Sequence, residues 1–221
     1  MSRLKVGVLI SGRGSNLQAL TDAAAVPGYP AEIALVISNR TDAAGLERAA
    51  RAGVAHLAIP HPSREAFAQA ADQALRRHGV ELVALAGYMR ILDTGFVEAW
   101  RDRLVNIHPS LLPAFPGLHP QRQALAAGVR FSGCTVHFVR AEVDTGPIIA
   151  QAVVPVRDDD DEERLAARIL EAEHRLYPLA VRLFAEGRLR VAGNRVAIAG
   201  ASPPELAIFN PEALASAETR L

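Results

Sequence analysis

Leu4-Lys5-Val6-Gly7-Val8-Leu9-Ile10, then Ser11-Gly12-Arg13-Gly14-Ser15-Asn16, then Leu17-Gln18-Ala19-Leu20: this opening stretch decides the fold. The first segment is an almost unbroken apolar run, the pattern of a parallel strand buried on both faces. The second carries two glycines and small polar residues, so it turns. The third opens a helix. Strand, tight turn and helix together are the unit from which a wound parallel sheet is built. Free backbone amides and the helix dipole make such a turn a natural anion site. Arg13 and Asn16 add side-chain donors. The turn matches neither the dinucleotide fingerprint nor the P-loop. It therefore suits a small phosphate ester better than a nucleoside triphosphate; the bland alternative is a tight turn that binds nothing.

The same alternation continues down the chain. Apolar runs at Ala31–Ser38, 54–59, 81–86 and 104–106 read as further strands. Helical segments lie between them at 43–52, 64–78 and 94–100, with Ser63 as N-cap of the second and Gly53 and Gly79 as stops. Beyond a proline-rich loop at 111–120, residues 121–127 form a helix. Segments 131–140 and 148–156 then read as two antiparallel strands added at one edge of the sheet. The acidic run Asp158 to Glu163 complements the dipole of a long helix reaching about residue 186, a role that suits it better than metal binding. Residues 188–191 and 195–198 flank Gly193-Asn194 as a hairpin. The expectation is one α/β domain over residues 1–200, a doubly wound, mostly parallel sheet flanked by helices, followed by a Pro- and Ala-rich, partly loose tail at 201–221.

Composition narrows the function. Of 221 residues, 50% are hydrophobic, enough for a sizeable core, and 24 Lys and Arg balance 24 Asp and Glu. Bulk charge thus gives no support to nucleic-acid binding. A single cysteine, Cys134, excludes an internal disulfide or a Cys-based metal cluster, and fits a cytoplasmic protein. No apolar run approaches the roughly 20 residues of a membrane span, and no signal peptide is expected. His56 and His61 fit no metal-ligand spacing and read as incidental.

The chemistry concentrates in Asn106-Ile107-His108-Pro109-Ser110-Leu111-Leu112-Pro113. If the backbone stays extended, Asn106 and His108 point to the same side. Pro109 and Pro113 forbid a helix and stiffen the turn. An amide that can stabilise an oxyanion and an imidazole that can move a proton suit acyl or formyl transfer. The bland reading of the same pair is a turn-closing asparagine and a surface histidine.

Several separated motifs then share one pattern. Ser-Gly-x-Gly-Ser-Asn from Ser11, Ala-Gly-Tyr-Met-Arg-Ile-Leu from Ala86, Asn-Ile-His-Pro-Ser-Leu-Leu-Pro from Asn106 and Val-Asp-Thr-Gly-Pro from Val143 resemble the folate-dependent formyltransferases. The phosphate loop and the compact length point within them to the phosphoribosylglycinamide formyltransferase family of purine synthesis. The resemblance covers the chain to about residue 190. It implies the formyltransferase fold, 10-formyltetrahydrofolate as formyl donor, the amine of glycinamide ribonucleotide as acceptor, and no metal. It implies Asn106, His108 and Asp144 as the catalytic trio. It places Gly14, Ser15 and Asn16 on the acceptor's phosphate and Glu173 on its sugar. Met89, Arg90, Ile91 and Leu92 match the pterin pocket, Arg140, Ala141, Glu142 and Val143 its second wall, and Arg64 the neighbourhood of the folate's glutamate end. The N-terminal half would serve the phosphate and acceptor, the C-terminal half the folate. The partners would be small molecules only, with neither nucleic acid nor membrane, and the chain a monomer or homodimer. The tail matches no pattern, so no role is carried over to it.

In that reading the amine attacks the formyl carbon directly, without a serine or cysteine intermediate. Asn106 and His108 stabilise the oxyanion. Asp144 orients the imidazole and favours its charged form. The proton travels through His108 or an ordered water. Two other users of the donor fit less well. A methionyl-tRNA formyltransferase would be expected to carry an added C-terminal domain, and a formyltetrahydrofolate hydrolase an N-terminal regulatory one. From another class, a phosphate- or folate-binding module would bind without turnover.

Overall fold

In the computed structural model, which describes residues 2–60, 63–202, 205 and 207–211, the opening run is strand β1 (Leu4–Ile10) and lies inside a nine-stranded sheet. Its residues Val6 to Ile10 are buried, as a strand covered on both faces must be. Helix α1 (Ser15–Ala25) returns the chain to β2 (Ala31–Ser38), and α2 (Ala44–Arg51) leads to β3 (His56–Ala58). After α3 (Arg64–Arg77) the chain re-enters on the other side of β1 as β4 (Leu82–Leu85); α4 (Thr94–Ala99) then leads to β5 (Leu104–His108). All these neighbours pair in parallel. The order β3-β2-β1-β4-β5 therefore reverses direction between β1 and β4, and open sheets bind ligands at the strand ends beside such a reversal.

Helix α5 (Pro120–Ala126) is followed by the antiparallel pair β6 (Phe131–Phe138) and β7 (Ile148–Pro155) beside β5. Long helix α6 (Glu162–Ala185) crosses the sheet, and β8 (Leu189–Ala192) and β9 (Arg195–Ile198) follow as a hairpin. The mostly parallel, doubly wound sheet with an antiparallel addition is the expected fold.

Most element ends shift by a residue or two, and four differences from the sequence reading have a physical reason. Helix α1 starts at Ser15 rather than Leu17, because Gly14 takes a left-handed conformation (φ 72°) and acts as N-cap at once. Strand β3 keeps only three exposed residues, since it is an edge strand with one neighbour. Strand β5 runs on past Asn106 to His108, because β6 pairs with it as far as His108↔Thr135. The hairpin is part of the main sheet: β9 pairs with β7 at Ile148↔Arg195, so β8 and not β7 forms that edge. His61 and tail residues 203, 204, 206 and 212–221 lie outside the described residues. Within the described tail, Asn210 Nδ2 donates to Val156 O at 3.1 Å.

Alternate side chains divide the core into two layers. Val6, Val8, Ile10, Val105 and Ile107 pack with α1 and α6, whereas Leu9, Val83, Leu85 and Leu104 pack with α3 and α4. Asn106 and His108 share the parity of Leu104. Helix α6 passes through Pro178 without ending. An internal proline costs a helix about 3 kcal/mol. Burial of Leu176, Tyr177, Ala180 and Val181 on either side offsets it. The fully buried Tyr177 hydroxyl lies 2.9 Å from Leu85 O and 3.2 Å from Val105 O, which fixes α6 over strands β4 and β5.

The acidic run works as local structure. Asp161 caps α6 by accepting from the Arg164 N–H at 2.8 Å. Asp160 pairs with Arg168 at 2.7 Å, Asp159 with Arg164 at 3.1 Å, and Asp158 with Arg130.

Candidate active site

The turn after β1 is shaped by glycine. Gly14 has a left-handed φ, and a Cβ there would lie 2.8 Å from Gly45 Cα, so a side chain is excluded twice over. The Gly45 N–H donates to Gly12 O at 3.0 Å, seating α2 against the turn. A glycine N-cap has no side chain to fold over the first-turn amides, and the first turn of α1 holds no acidic residue. Its N-terminus thus presents N–H groups and a positive dipole end. Asn16, in that first turn, is buried and donates from Nδ2 to Glu173 Oε2 at 2.8 Å, while its Oδ1 is buried without a partner. Burial pushes the Glu173 carboxyl up to about 7, against the opposing hydrogen bond from Asn16.

At the end of β5 three side chains meet. His108 Nε2 donates to Phe115 O at 3.0 Å, and Nδ1 stands 3.3 Å from Asp144 Oδ2. The Gly117 N–H donates to the same carboxylate oxygen at 2.8 Å. Asp144 itself has φ 56°, a left-handed conformation that aspartate tolerates better than most residues. Its loop approaches β6 so closely that a Cβ on Gly146 would sit 1.6 Å from Phe138 O. Burial alone would raise the pKa of Asp144. The adjacent His137 ring, the Gly117 N–H and the His108 ring outweigh it and hold the carboxyl below the usual range.

A cleft opens beside this cluster. One wall carries Tyr88, Arg90, Ile91 and Leu92, from the loop after β4; the other carries Arg140, Ala141, Glu142 and Val143, from the loop after β6. Asn106, His137 and Asp144 line it as well. Ile91 and Val143 expose apolar surface there, as ligand-facing side chains commonly do. Arg140 pairs with Asp102 at 2.5 Å.

The formyl transferase family model matches residues 4–181. Phosphoribosylglycinamide formyltransferase of Escherichia coli is 45% identical over 204 residues, which cover 91% of this chain and 96% of that one. The chain belongs to the phosphoribosylglycinamide formyltransferase family. The glycinamide ribonucleotide transformylase 1 of Symbiobacterium toebii superposes on it with a TM-score of 0.85 at 56% identity, covering 89% of this chain and 94% of that one. The trifunctional purine biosynthetic protein adenosine-3 of Drosophila pseudoobscura pseudoobscura is 56% identical over 193 residues. Those residues are 85% of this chain, which spans 14% of that longer relative.

The structure brings together Asn106, His108 and Asp144, and separately Gly14, Ser15, Asn16 and Glu173. Two residues singled out from the sequence stand apart from the cleft lining. Arg64 is the first residue of α3, and Met89 projects an exposed side chain while its N–H is held by Ser11 Oγ at 2.9 Å. One residue went unnoticed. His137 pairs in register with Asn106 across β5 and β6. Its Nδ1 lies 3.0 Å from Phe138 O and its Nε2 3.3 Å from Asn106 Nδ2. Nε2 also faces Asp144 Oδ1 at 3.7 Å, so the ring stands between the Asn106 amide and the carboxylate. The usable signal was the alternation of β6: His137 has opposite parity to the buried Val136 and Phe138, hence the parity of a cleft-facing position. Among the described residues no helix is long and apolar enough to cross a membrane.

Proposed function

We infer that the chain transfers the formyl group of 10-formyltetrahydrofolate to the amine of glycinamide ribonucleotide, giving formylglycinamide ribonucleotide and tetrahydrofolate. The observation that carries this reading is the pairing of His108 with Asp144 at a cleft that Asp144 and Asn106 line. In that reading the acceptor's phosphate sits on the amides of Gly14, Ser15 and Asn16, and its sugar reaches Glu173. The pterin enters the cleft between Arg90–Leu92 and Arg140–Val143, with the formyl carbon delivered to Asn106. In this reading Glu173, on α6, serves the acceptor and the Arg90 loop the donor.

An amine is a nucleophile as soon as it is neutral, so attack on the formyl carbon needs no covalent enzyme intermediate. The oxyanion that forms takes a hydrogen bond from Asn106. Its amide has two N–H groups, and at most one of them can go to His137, so at least one remains for the oxygen. The amine's proton is held at His108 Nδ1, which faces the Asp144 carboxylate; Nε2 already donates to Phe115 O. The same proton returns to the folate nitrogen as the carbon–nitrogen bond breaks. We place this chemistry in the cytoplasm, a compartment suited to the free, buried Cys134.

The test is direct. Purified protein is given both substrates, and the change in folate absorbance is followed alongside formylated product. Product formation that requires both substrates supports the reading. Release of formate without consumption of the amine would make the chain a hydrolase, and binding of both without turnover would make it a binding module.

A further inference from the structure

We propose that Ser11 is a positioning residue that holds the donor loop in register with the acceptor loop, so that transfer depends on its hydroxyl through the placement of one substrate against the other. The inference rests on the transfer reaction proposed above. Ser11 is the first residue beyond β1 and is buried. Its N–H donates to Gly87 O at 3.1 Å. Its Oγ accepts the Met89 N–H at 2.9 Å and donates to Asn39 Oδ1 at 2.6 Å. One small side chain thus joins the segments leaving β1, β2 and β4.

These segments lead to different substrates. Ser11 is followed directly by Gly12 to Asn16, the acceptor turn. Met89 is followed directly by Arg90, Ile91 and Leu92, a wall of the donor cleft. The two loops lie on either side of the sheet's reversal point, where β1 and β4 are neighbours. The strand register ends at Leu9↔Leu85, and the Ser11 N–H to Gly87 O bond is a further backbone link; at Met89 the join between the loops is made by the Ser11 hydroxyl. A hydroxyl has one hydrogen to give and lone pairs to accept, and here both capacities span loops. Alanine would keep the backbone bond to Gly87 O but leave the Met89 N–H and Asn39 without this partner, loosening the donor loop at Met89.

Misplacing bound reactants by about 1 Å can cost on the order of 10²-fold in rate. Each substrate alone still finds its own loop, so the loss should fall on turnover and spare the separate affinities. The experiment uses the full chain and three single variants, Ser11→Ala, Ser11→Thr and Asn39→Ala, together with the Ser11→Ala/Asn39→Ala double variant. Binding of glycinamide ribonucleotide and of a non-transferable folate analogue is measured separately by calorimetry, and kcat with both substrates saturating. Amide exchange at Met89 and thermal unfolding are read on the same samples. Ser11→Ala should lower kcat by about 10- to 100-fold with both affinities near wild type. Met89 exchange should quicken while Tm changes little. Ser11→Thr, which keeps the hydroxyl, should recover most of the rate. Asn39→Ala should lose rate in the same direction, and the double variant should be no worse than Ser11→Ala.

Unchanged kcat in Ser11→Ala, or a rate loss matched by weaker binding of either substrate alone, overturns the positioning role. Should Ser11→Ala fail to fold, Asn39→Ala decides by the same criteria, because it removes only the acceptor of the hydroxyl's hydrogen. A wild type that transfers no formyl group overturns the reaction itself; an active wild type with an equally fast Ser11→Ala overturns the inference alone.

Discussion

Glu173→Gln should stabilise the protein above neutral pH while weakening its hold on the acceptor. The carboxyl is buried beneath α1, takes a hydrogen bond from Asn16 Nδ2, and is pushed by burial from 4.5 to about 7. In the unfolded chain it returns to its ordinary value. Between those two values the unfolded state has lost the proton and the folded state keeps it. The folded state then binds more protons, so stability falls as pH rises. Below 4.5 both states are protonated and burial of this group carries no charge penalty; above about 7 both are ionised and the penalty is complete. The interval from 4.5 to about 7 corresponds to roughly 3 kcal/mol. Glutamine has nearly the same shape, keeps an oxygen to accept from Asn16 and cannot ionise. The stability of the variant relative to wild type should therefore grow by roughly 3 kcal/mol between pH 4.5 and pH 8, most steeply between pH 5 and 7. Urea unfolding across that range measures it, followed by fluorescence of the chain's one tryptophan, Trp100, which is buried with Arg76 and Arg103 over its ring. If an ionised Glu173 receives the acceptor's sugar hydroxyls, the same variant should lose about 1.5–3 kcal/mol of acceptor affinity at pH 8. A stability difference that does not change with pH would refute the reasoning, because it would mean the folded carboxyl titrates as the unfolded one does.

Other outcomes follow from the site. Asn106→Ala should lower kcat by about 10²–10³ with the fold intact, measured at saturating substrates with circular dichroism as control. His108→Ala and Asp144→Asn should each slow transfer, and the double variant should lose less than the product of the two single losses, because both act on one proton; a fully multiplicative loss would separate them. Asp144 has a depressed pKa, so its contribution to stability is present above the ordinary carboxylate value of 3.8 and is lost as pH falls through its lower folded value. Asp144→Asn should accordingly cost stability at pH 7, with the gap to wild type closing below about pH 3.8 in acid-unfolding curves. Gly14→Ala forces a side chain into a left-handed position against Gly45 Cα, and should cost roughly 1–3 kcal/mol in urea unfolding and weaken the acceptor more than the donor.

The parallel half of the sheet was legible because its signals are local. An apolar run such as Leu4–Ile10 has no other stable use, and Ser63 advertised its role, accepting from the Ala66 N–H at 3.1 Å as an N-cap should. What escaped depends on pairing between distant segments. Nothing near Arg195 announces that it lies beside Ile148, so the hairpin's place in the main sheet could not be read. His137 escaped for the same reason: its meaning comes from Asn106, 31 residues earlier. The left-handed Phe115 and His119 were also invisible, since neither is glycine, and the carbonyl that Phe115 offers to His108 depends on that loop geometry. The motif residues Asn106, His108 and Asp144 could be named from resemblance, but their distances could not.

The two kinds of strand pairing divide the work of the site. In the parallel half every strand ends at the same edge, and the chain then leaves through a loop. Such an edge can supply amides and apolar walls from β1 and β4, but its loops all come from one side. Orienting a side chain that stands within a strand needs a partner alongside it. The antiparallel β6 provides one, setting His137 opposite Asn106 with its Nε2 3.3 Å from the amide nitrogen. The chain leaves β6 beside the start of β5, and the loop before β7 folds back over the pair and carries Asp144 to within 3.3 Å of His108. A sixth parallel strand followed by another helix would have carried the chain away over one face of the sheet. The single reversal after β5 thus accounts for both the aim of the asparagine and the carboxylate behind the histidine.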